Sequence, residues 1–307
     1  MNVLLLRSLW ICLFSLCALL AQAQTPDDGF IMGKSQICVA LPYSYDSWTE
    51  YREGTLRRDN PNLGRVSRQA VMPMFALGLT NYLNLLVGLP YVSTRASQGV
   101  LRGHQGFQDV QVGLKARFLQ LPLRAGSLAC YALGSISTPV SNYYPDYLPL
   151  SIGLGSTNLT GRGILQMQFN SGLFVTAAGG YTSRSNIELE RDFYYDGGVP
   201  YYTNSVQMPA VADFRLALGY VSTHIKANIA YMGMNTLGGT DIRRNDMPFP
   251  SNNMDQTRIG AEVQYYLQGD KGLSLLAFGN YTLSGRNVGL STAFGGGIAY
   301  QINNLWK

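Results

Sequence analysis

Apolar and polar residues alternate with a period of two along most of this chain. Over residues 106–118, Asp109, Gln111, Gly113, Lys115 and Arg117 fall on one side and Val110, Val112, Leu114, Ala116 and Phe118 on the other. That is the pattern of a strand with one face against apolar surroundings and one against polar ones. It recurs over residues 162–170, with Gln166 and Gln168 on the polar side, over 209–220, with Asp213 and Arg215, and over 224–235, with Lys226 and Asn228. Residues 256–267 place Arg258, Glu262, Gln264 and Tyr266 opposite Ile259, Val263 and Tyr265, and residues 82–95 alternate as well. Less regular strand-like text covers residues 34–49, 66–79, 126–139, 173–184, 273–284 and 291–302. The pattern predicts about twelve strands of roughly ten residues each, the length a tilted strand needs to cross a bilayer.

The joins between these segments alternate between short and long. Short ones fall at residues 80–81, 119–125, 171–172, 221–223 and 268–272, and longer ones at 50–65, 96–105, 140–159, 185–208, 236–255 and 285–290. A soluble sandwich has no reason to keep that order, whereas an antiparallel membrane barrel has turns at one rim and loops at the other. Hydrocarbon offers no hydrogen-bond partners, so a sheet in it must close on itself. The expected fold is an all-β, transmembrane, antiparallel up-and-down β-barrel of about twelve strands, a single domain over residues 24–307. Tyr91, Tyr220, Tyr231, Tyr265 and Tyr281 fall on the outward face toward strand ends, where an interfacial girdle would place them.

Composition narrows the choice. Of 307 residues, 46% are hydrophobic and only 13% charged, against about 25% charged in an average soluble domain. Residues 1–23 carry Arg7, an apolar run and Ala21-Gln22-Ala23, the pattern of a cleaved signal peptide. No later stretch is long and apolar enough for a spanning helix. Barrel and leader together place the protein in the cell outer membrane. Cys38 and Cys130, outside the leader, read as unpaired thiols in strand-like text, with a disulfide left open. The net charge of +5 is spread along the chain, which is no nucleic-acid footprint.

Two stretches carry a family resemblance. Residues 77–93, LGLTNYLNLLVGLPYVS, end a strand in Gly-Leu-Pro-Tyr-Val, and residues 106–118 read GFQDVQVGLKARF, a Gly-x-x-Asp-Val-x-Val-Gly-Leu-Lys motif. Both resemble the outer-membrane proteins named for the MetA pathway of phenol degradation, barrels distantly similar to fatty-acid and aromatic-hydrocarbon transporters. The resemblance implies a β-barrel that handles small molecules. Two departures stand out: Gln108 sits where a second glycine is expected before Asp109, and residues 24–34 offer no counterpart to the long N-terminal hatch of the fatty-acid transporters.

Candidate chemistry follows from the polar face. Asp109, Gln111, Lys115, Arg117, Gln166, Gln168, Asp213, Arg215, Lys226, Asn228, Arg258, Glu262 and Gln264 should face the lumen, where they either line a path or pair across it and seal it. With the strands beginning near residue 34, nothing is left for a sizeable plug. Tyr143, Tyr144, Phe193, Tyr194, Tyr195, Tyr201 and Tyr202 are loop candidates for contact with an apolar or aromatic ligand at the mouth. The expected function is an outer-membrane channel or transporter for small, apolar or aromatic molecules, with membrane lipid as surroundings, protein partners undetermined, and no enzyme activity, cofactor or metal. The alternatives are a structural or assembly barrel anchoring a surface complex, and a surface hydrolase using His104 or His224.

Overall fold

The computed structural model describes residues 25–243, 247–268 and 272–303, so the expected leader lies outside them. Twelve strands build the wall: β1 (Ile37–Trp48), β2 (Val66–Val71 continued by Met74–Gly78), β3 (Leu83–Gly88 continued by Tyr91–Ala96), β4 (Gln105–Phe107 continued by Asp109–Leu123), β5 (Gly126–Pro139) and β6 (Asn158–Phe169). They are followed by β7 (Leu173–Arg184), β8 (Val211–Val221), β9 (Ile225–Thr236), β10 (Asp255–Tyr266), β11 (Gly272–Arg286) and β12 (Thr292–Ile302). Each is antiparallel to its neighbours, and β1 closes the cylinder on β12 from Ile37 opposite Ile302 to Ser47 opposite Thr292. The sheet has no free edge, which is the condition for a β structure in hydrocarbon.

The outward side chains form the apolar surface that such surroundings require. Leu216, Leu218, Ile229, Val263, Leu275 and Ile298 are all exposed, as are the five girdle tyrosines. In water that much apolar area on one molecule would drive association; in a bilayer it is the solvated face.

Two departures from simple alternation have local causes. In β4 the residue Phe118 is bulged, because Tyr131 faces Arg117 while Cys130 faces Leu119. The extra residue reverses the phase, so Leu119, Leu121 and Leu123 point outward after it. The strand therefore runs on to Leu123, and the expected bend over residues 119–125 shrinks to a turn at Arg124 and Ala125.

The second departure is a level at which prolines interrupt the wall. Pro42 lies within β1, Pro73 separates the two parts of β2, and Pro90 separates those of β3. Proline cannot donate to a ladder, but each proline carbonyl accepts an amide from the next strand: Met72 to Pro42 at 3.0 Å, Leu89 to Pro73 at 3.1 Å, Gln108 to Pro90 at 2.9 Å. Gln108, the departure noted in the motif, thus sits at the break in β4.

Candidate functional site in the barrel lumen

Residues 25–36 do not lead straight into β1. They lie inside the barrel at the rim of short turns, where twelve residues, too few for a sizeable plug, still narrow the lumen. So short a segment suffices because a twelve-stranded lumen is narrow and three consecutive side chains reach three parts of the wall. Phe30 packs on Phe174 and Val221, Ile31 against Ala129, Tyr131, Ile164 and Ala178, and Met32 against Cys38, Ala76, Leu86, Leu133 and Ala299. At Gly29 a Cβ would sit 2.4 Å from the Cβ of Gln166, so only glycine lets its amide reach Gln166 Oε1 at 3.1 Å.

Charge fixes the segment in place. Asp28 is buried and bridges two strands of the wall, with Lys115 Nζ of β4 2.7 Å from Oδ1 and Lys226 Nζ of β9 2.9 Å from Oδ2. Its oxygens also accept the amides of Thr25 at 3.0 Å and Phe30 at 3.2 Å, and Lys115 donates to the Thr25 carbonyl at 3.0 Å. Burial alone would raise the Asp28 carboxyl, but the two ammonium groups outweigh it and hold it far below the usual carboxylate range. A carboxyl so depressed contributes its stability in full above about pH 4 and loses it only as pH falls through the lowered value. The difference in unfolding free energy between the protein and Asp28→Asn is therefore expected not to shrink from about pH 7.5 to about pH 5. A difference that shrinks within that window in denaturant titrations would contradict the arrangement.

A second network lies above the first. Arg162 pairs with Asp213 at 2.7 Å and with Asp27 at 3.6 Å; Arg215 lies 4.0 Å from Asp27, 3.9 Å from Glu262, and donates to Asn228 Oδ1 at 2.9 Å. Beside these groups opens a chamber of about 370 Å³. Its polar side carries Gln111, Arg215, Asn228, Glu262 and Gln264, and its other side Met72, Met74, Leu86, Leu276 and Phe278. The lumen is thus two-faced. At the level of the chamber, charged side chains come from β4 to β10, whereas β1 to β3, β11 and β12 present apolar residues inward as well as outward; nearer the long loops Asp46 of β1 and Arg68 of β2 also face inward.

The rim of long loops is also narrowed. The loop over residues 140–157 folds inward: Leu150 packs on Leu63 and Val66, and Ile152 on Ala70 and Val92. Thr94 Oγ1 donates to the Leu150 carbonyl at 2.6 Å. A second space of about 200 Å³ lies there, lined by Asp46, Trp48, Arg68, Pro149 and Gln256 among others.

Several of the expected lumenal residues are brought together. Lys115, Gln166 and Lys226 meet residues 25–36, and Arg215, Asn228 and Glu262 meet each other at the chamber with Gln111 and Gln264 on its wall. Gln264 is buried, donating to Ser274 Oγ at 2.9 Å and accepting from Tyr266 at 3.0 Å. Asp213 pairs with Arg162 rather than facing open space. Arg117 is set at the rim, donating to the Asn81 carbonyl at 3.1 Å, and half-buried Gln168 is near the turn that joins β6 to β7. Arg258 lies on the inner face of the outer half, the same level as Asp46 and Arg68. Asp109 accepts a hydrogen bond from Tyr143.

The loop candidates divide. Tyr194 is buried in a loop core with Ile187, Leu189, Val206, Met208 and Phe249, stacked on Tyr201 and Phe249 at 5.1 Å each. Tyr143 is tied to Asp109 and the Gly155 amide, so these two rings hold loops together. Tyr144, Phe193, Tyr195, Tyr201 and Tyr202 are exposed. His104 stacks on Tyr147 at 4.5 Å in a long loop, while His224 contacts Thr223 at a short turn, so the two histidines occupy opposite rims. Cys38 and Cys130 are unpaired. Asp27, Asp28, Phe30, Asp46 and Arg68 were not legible as site residues, although two adjacent aspartates are conspicuous in so sparsely charged a chain.

Comparison with known proteins fits this geometry. A crystallised outer membrane channel from Pseudomonas putida F1 superposes with a TM-score of 0.69 at 13% identity, covering 92% of this chain and 100% of that one. The NanC porin gives 0.48 at 9% identity, over 86% and 100% of the two chains. The translocator domain of the autotransporter NalP from Neisseria meningitidis gives 0.45 at 11%, over 87% and 88%. At such identities the first likeness is one of fold. No curated protein matches the sequence. A family model spanning residues 63–295 does match, bearing out the resemblance carried by the Gly-Leu-Pro-Tyr-Val and Asp-Val-x-Val-Gly-Leu-Lys motifs, and the chain belongs to the family described as "Putative MetA-pathway of phenol degradation".

Proposed function

We propose that this barrel is an outer-membrane channel for small molecules with apolar or aromatic character, and that it is not an enzyme. The observation that carries this reading is the chamber of about 370 Å³ within the closed wall, apolar on one side and anchored by a few polar groups on the other. Ligand sites have that character and begin at about 300 Å³, and about 150 Å³ already holds a benzene ring. The polar arc of Gln111, Arg215, Asn228 and Glu262 would orient a passing molecule while the methionines and Phe278 accept its apolar part. The exposed loop rings Tyr144, Phe193, Tyr195, Tyr201 and Tyr202 would make the first contact. Aromatic rings with few charges retain apolar solutes by area and face geometry.

Planar-bilayer conductance of the purified protein, together with uptake of small aromatic solutes by cells with and without the gene, tests the proposal. A protein that gives no conductance steps and a deletion that leaves uptake unchanged would refute it. A narrower test uses Gly88, which lines the chamber and where an added Cβ would meet nothing nearer than the Pro73 carbonyl at 4.0 Å. Gly88→Trp is expected to fill the chamber and cut uptake at least several-fold while the barrel still folds. Unchanged uptake in a folded Gly88→Trp protein would place the route elsewhere.

A further inference from the structure

The segment over residues 25–36 offers the wall a carboxylate and a phenyl ring two positions apart, and the wall receives them as a unit. Asp28 lies between two ammonium groups, 2.7 Å from Lys115 and 2.9 Å from Lys226. The same Lys226 Nζ stands 4.4 Å from the centre of the Phe30 ring, and that ring meets Phe174 edge to face at 5.3 Å. Between carboxylate and ring, Gln166 Oε1 takes the Gly29 amide at 3.1 Å. Lys115, Lys226, Phe174 and Gln166 are all buried, so these contacts form a built cleft rather than a surface patch.

We propose that Lys115, Lys226 and Phe174 form a binding site for aryl carboxylates, which Asp28 and Phe30 fill while the lumen is closed and which a small aromatic acid from solution fills when the segment withdraws. The argument is one of charge. Asp28 cannot leave alone without taking from two buried ammonium groups that face each other the carboxylate they share, a loss costly enough to keep the segment in place. An incoming carboxylate replaces Asp28 one for one, with both ion pairs re-formed. Its ring takes the place of Phe30 under the Lys226 ammonium, where the face of an aromatic ring attracts a cation. The apolar side of the chamber adjoins this site at Leu86 and Leu133, which also contact Met32. A ring therefore has apolar surroundings along its way.

The proposal rests on the channel reading but is tested without transport. In Asp28→Ala/Phe30→Ala the site is vacated, and thermal unfolding of the purified protein in detergent is followed with 3-phenylpropionate, acetate, 3-phenylpropanol and chloride at equal ionic strength. 3-Phenylpropionate is expected to raise the midpoint by ~3 °C or more, since a ligand that binds only the folded state stabilises it. Acetate should raise it less, and the alcohol and chloride should leave it unchanged. The shift should be smaller in the unaltered protein, where the site is filled, and absent when Lys226→Met is added. Equal shifts with acid and alcohol, or a shift that survives Lys226→Met, would overturn the proposal. Should the vacated variant fold poorly, its refolding yield with each additive gives the same contrast. A conducting protein whose vacated variant ignores 3-phenylpropionate would sink this site and leave the channel standing, whereas a protein without conductance that binds the acid would do the reverse.

Discussion

Asp28→Asn is expected to destabilise the folded barrel by about 3–5 kcal/mol and to raise its conductance several-fold. The carboxylate is buried between Lys115 and Lys226, and neither ammonium can move into water without dismantling contacts of the wall. Asparagine keeps the shape and can still accept hydrogen bonds, but it brings no charge. Removing one partner of a buried ionic cluster leaves the others uncompensated, which is where the magnitude comes from. The loss falls on the docking of residues 25–36, since Phe30, Ile31 and Met32 are held by the same segment. Lys115→Met should cost less, because Asp28 keeps Lys226. Denaturant titration in lipid vesicles and single-channel recording read the two effects separately. An Asp28→Asn protein with the unfolding midpoint and conductance of the original would show that the bridge does not hold the segment.

Ile229→Arg tests the other face of the wall. Ile229 is 62% exposed in the middle of β9, opposite Leu218 on β8, itself 61% exposed, and Ala261 on β10. On a water-facing sheet, exchanging so exposed an isoleucine for arginine would change stability little. In a bilayer the same exchange is expected to cost about 2–4 kcal/mol near the midplane. Leu237→Arg is the control, as Leu237 is 53% exposed in the loop after β9 and should tolerate the charge. Equal stability of the two variants in vesicles would mean that β9 does not face lipid.

How much of this was legible in the sequence depended on which part of the lumen a strand lines. β8, β9 and β10 alternate plainly because their inner faces carry Arg215, Lys226, Asn228 and Glu262 while their outer faces carry leucine, isoleucine, valine and tyrosine. β1, β2, β11 and β12 read as irregular because Ala40, Pro42, Met74, Ala76, Leu276, Phe278 and Ala299 are apolar and still face inward. With both faces apolar, the period of two disappears although the strand does not. The bulge at Phe118 has a similar effect, turning Leu119, Leu121 and Leu123 outward against the phase of the preceding residues. The site was harder to see than the fold. Asp28 meets Lys115 across 87 positions and Lys226 across 198, and no local spacing records such a pairing. What the sequence did supply was the inward side of β4 and β9, and so both lysines without the partner they share.

The closeness of Asp28 to β1 along the chain sets how the lumen recovers after it has been opened. Only nine positions separate Asp28 from Ile37, where the wall begins. A carboxylate on so short a tether revisits its lysines at an effective concentration on the order of millimolar or above. A free acid must therefore match that local concentration or bind more tightly than the tethered group, and when its supply falls the chain re-seals its own lumen without any outside signal. The barrel would then pass traffic in proportion to abundance above a threshold, a property written into nine residues of leash.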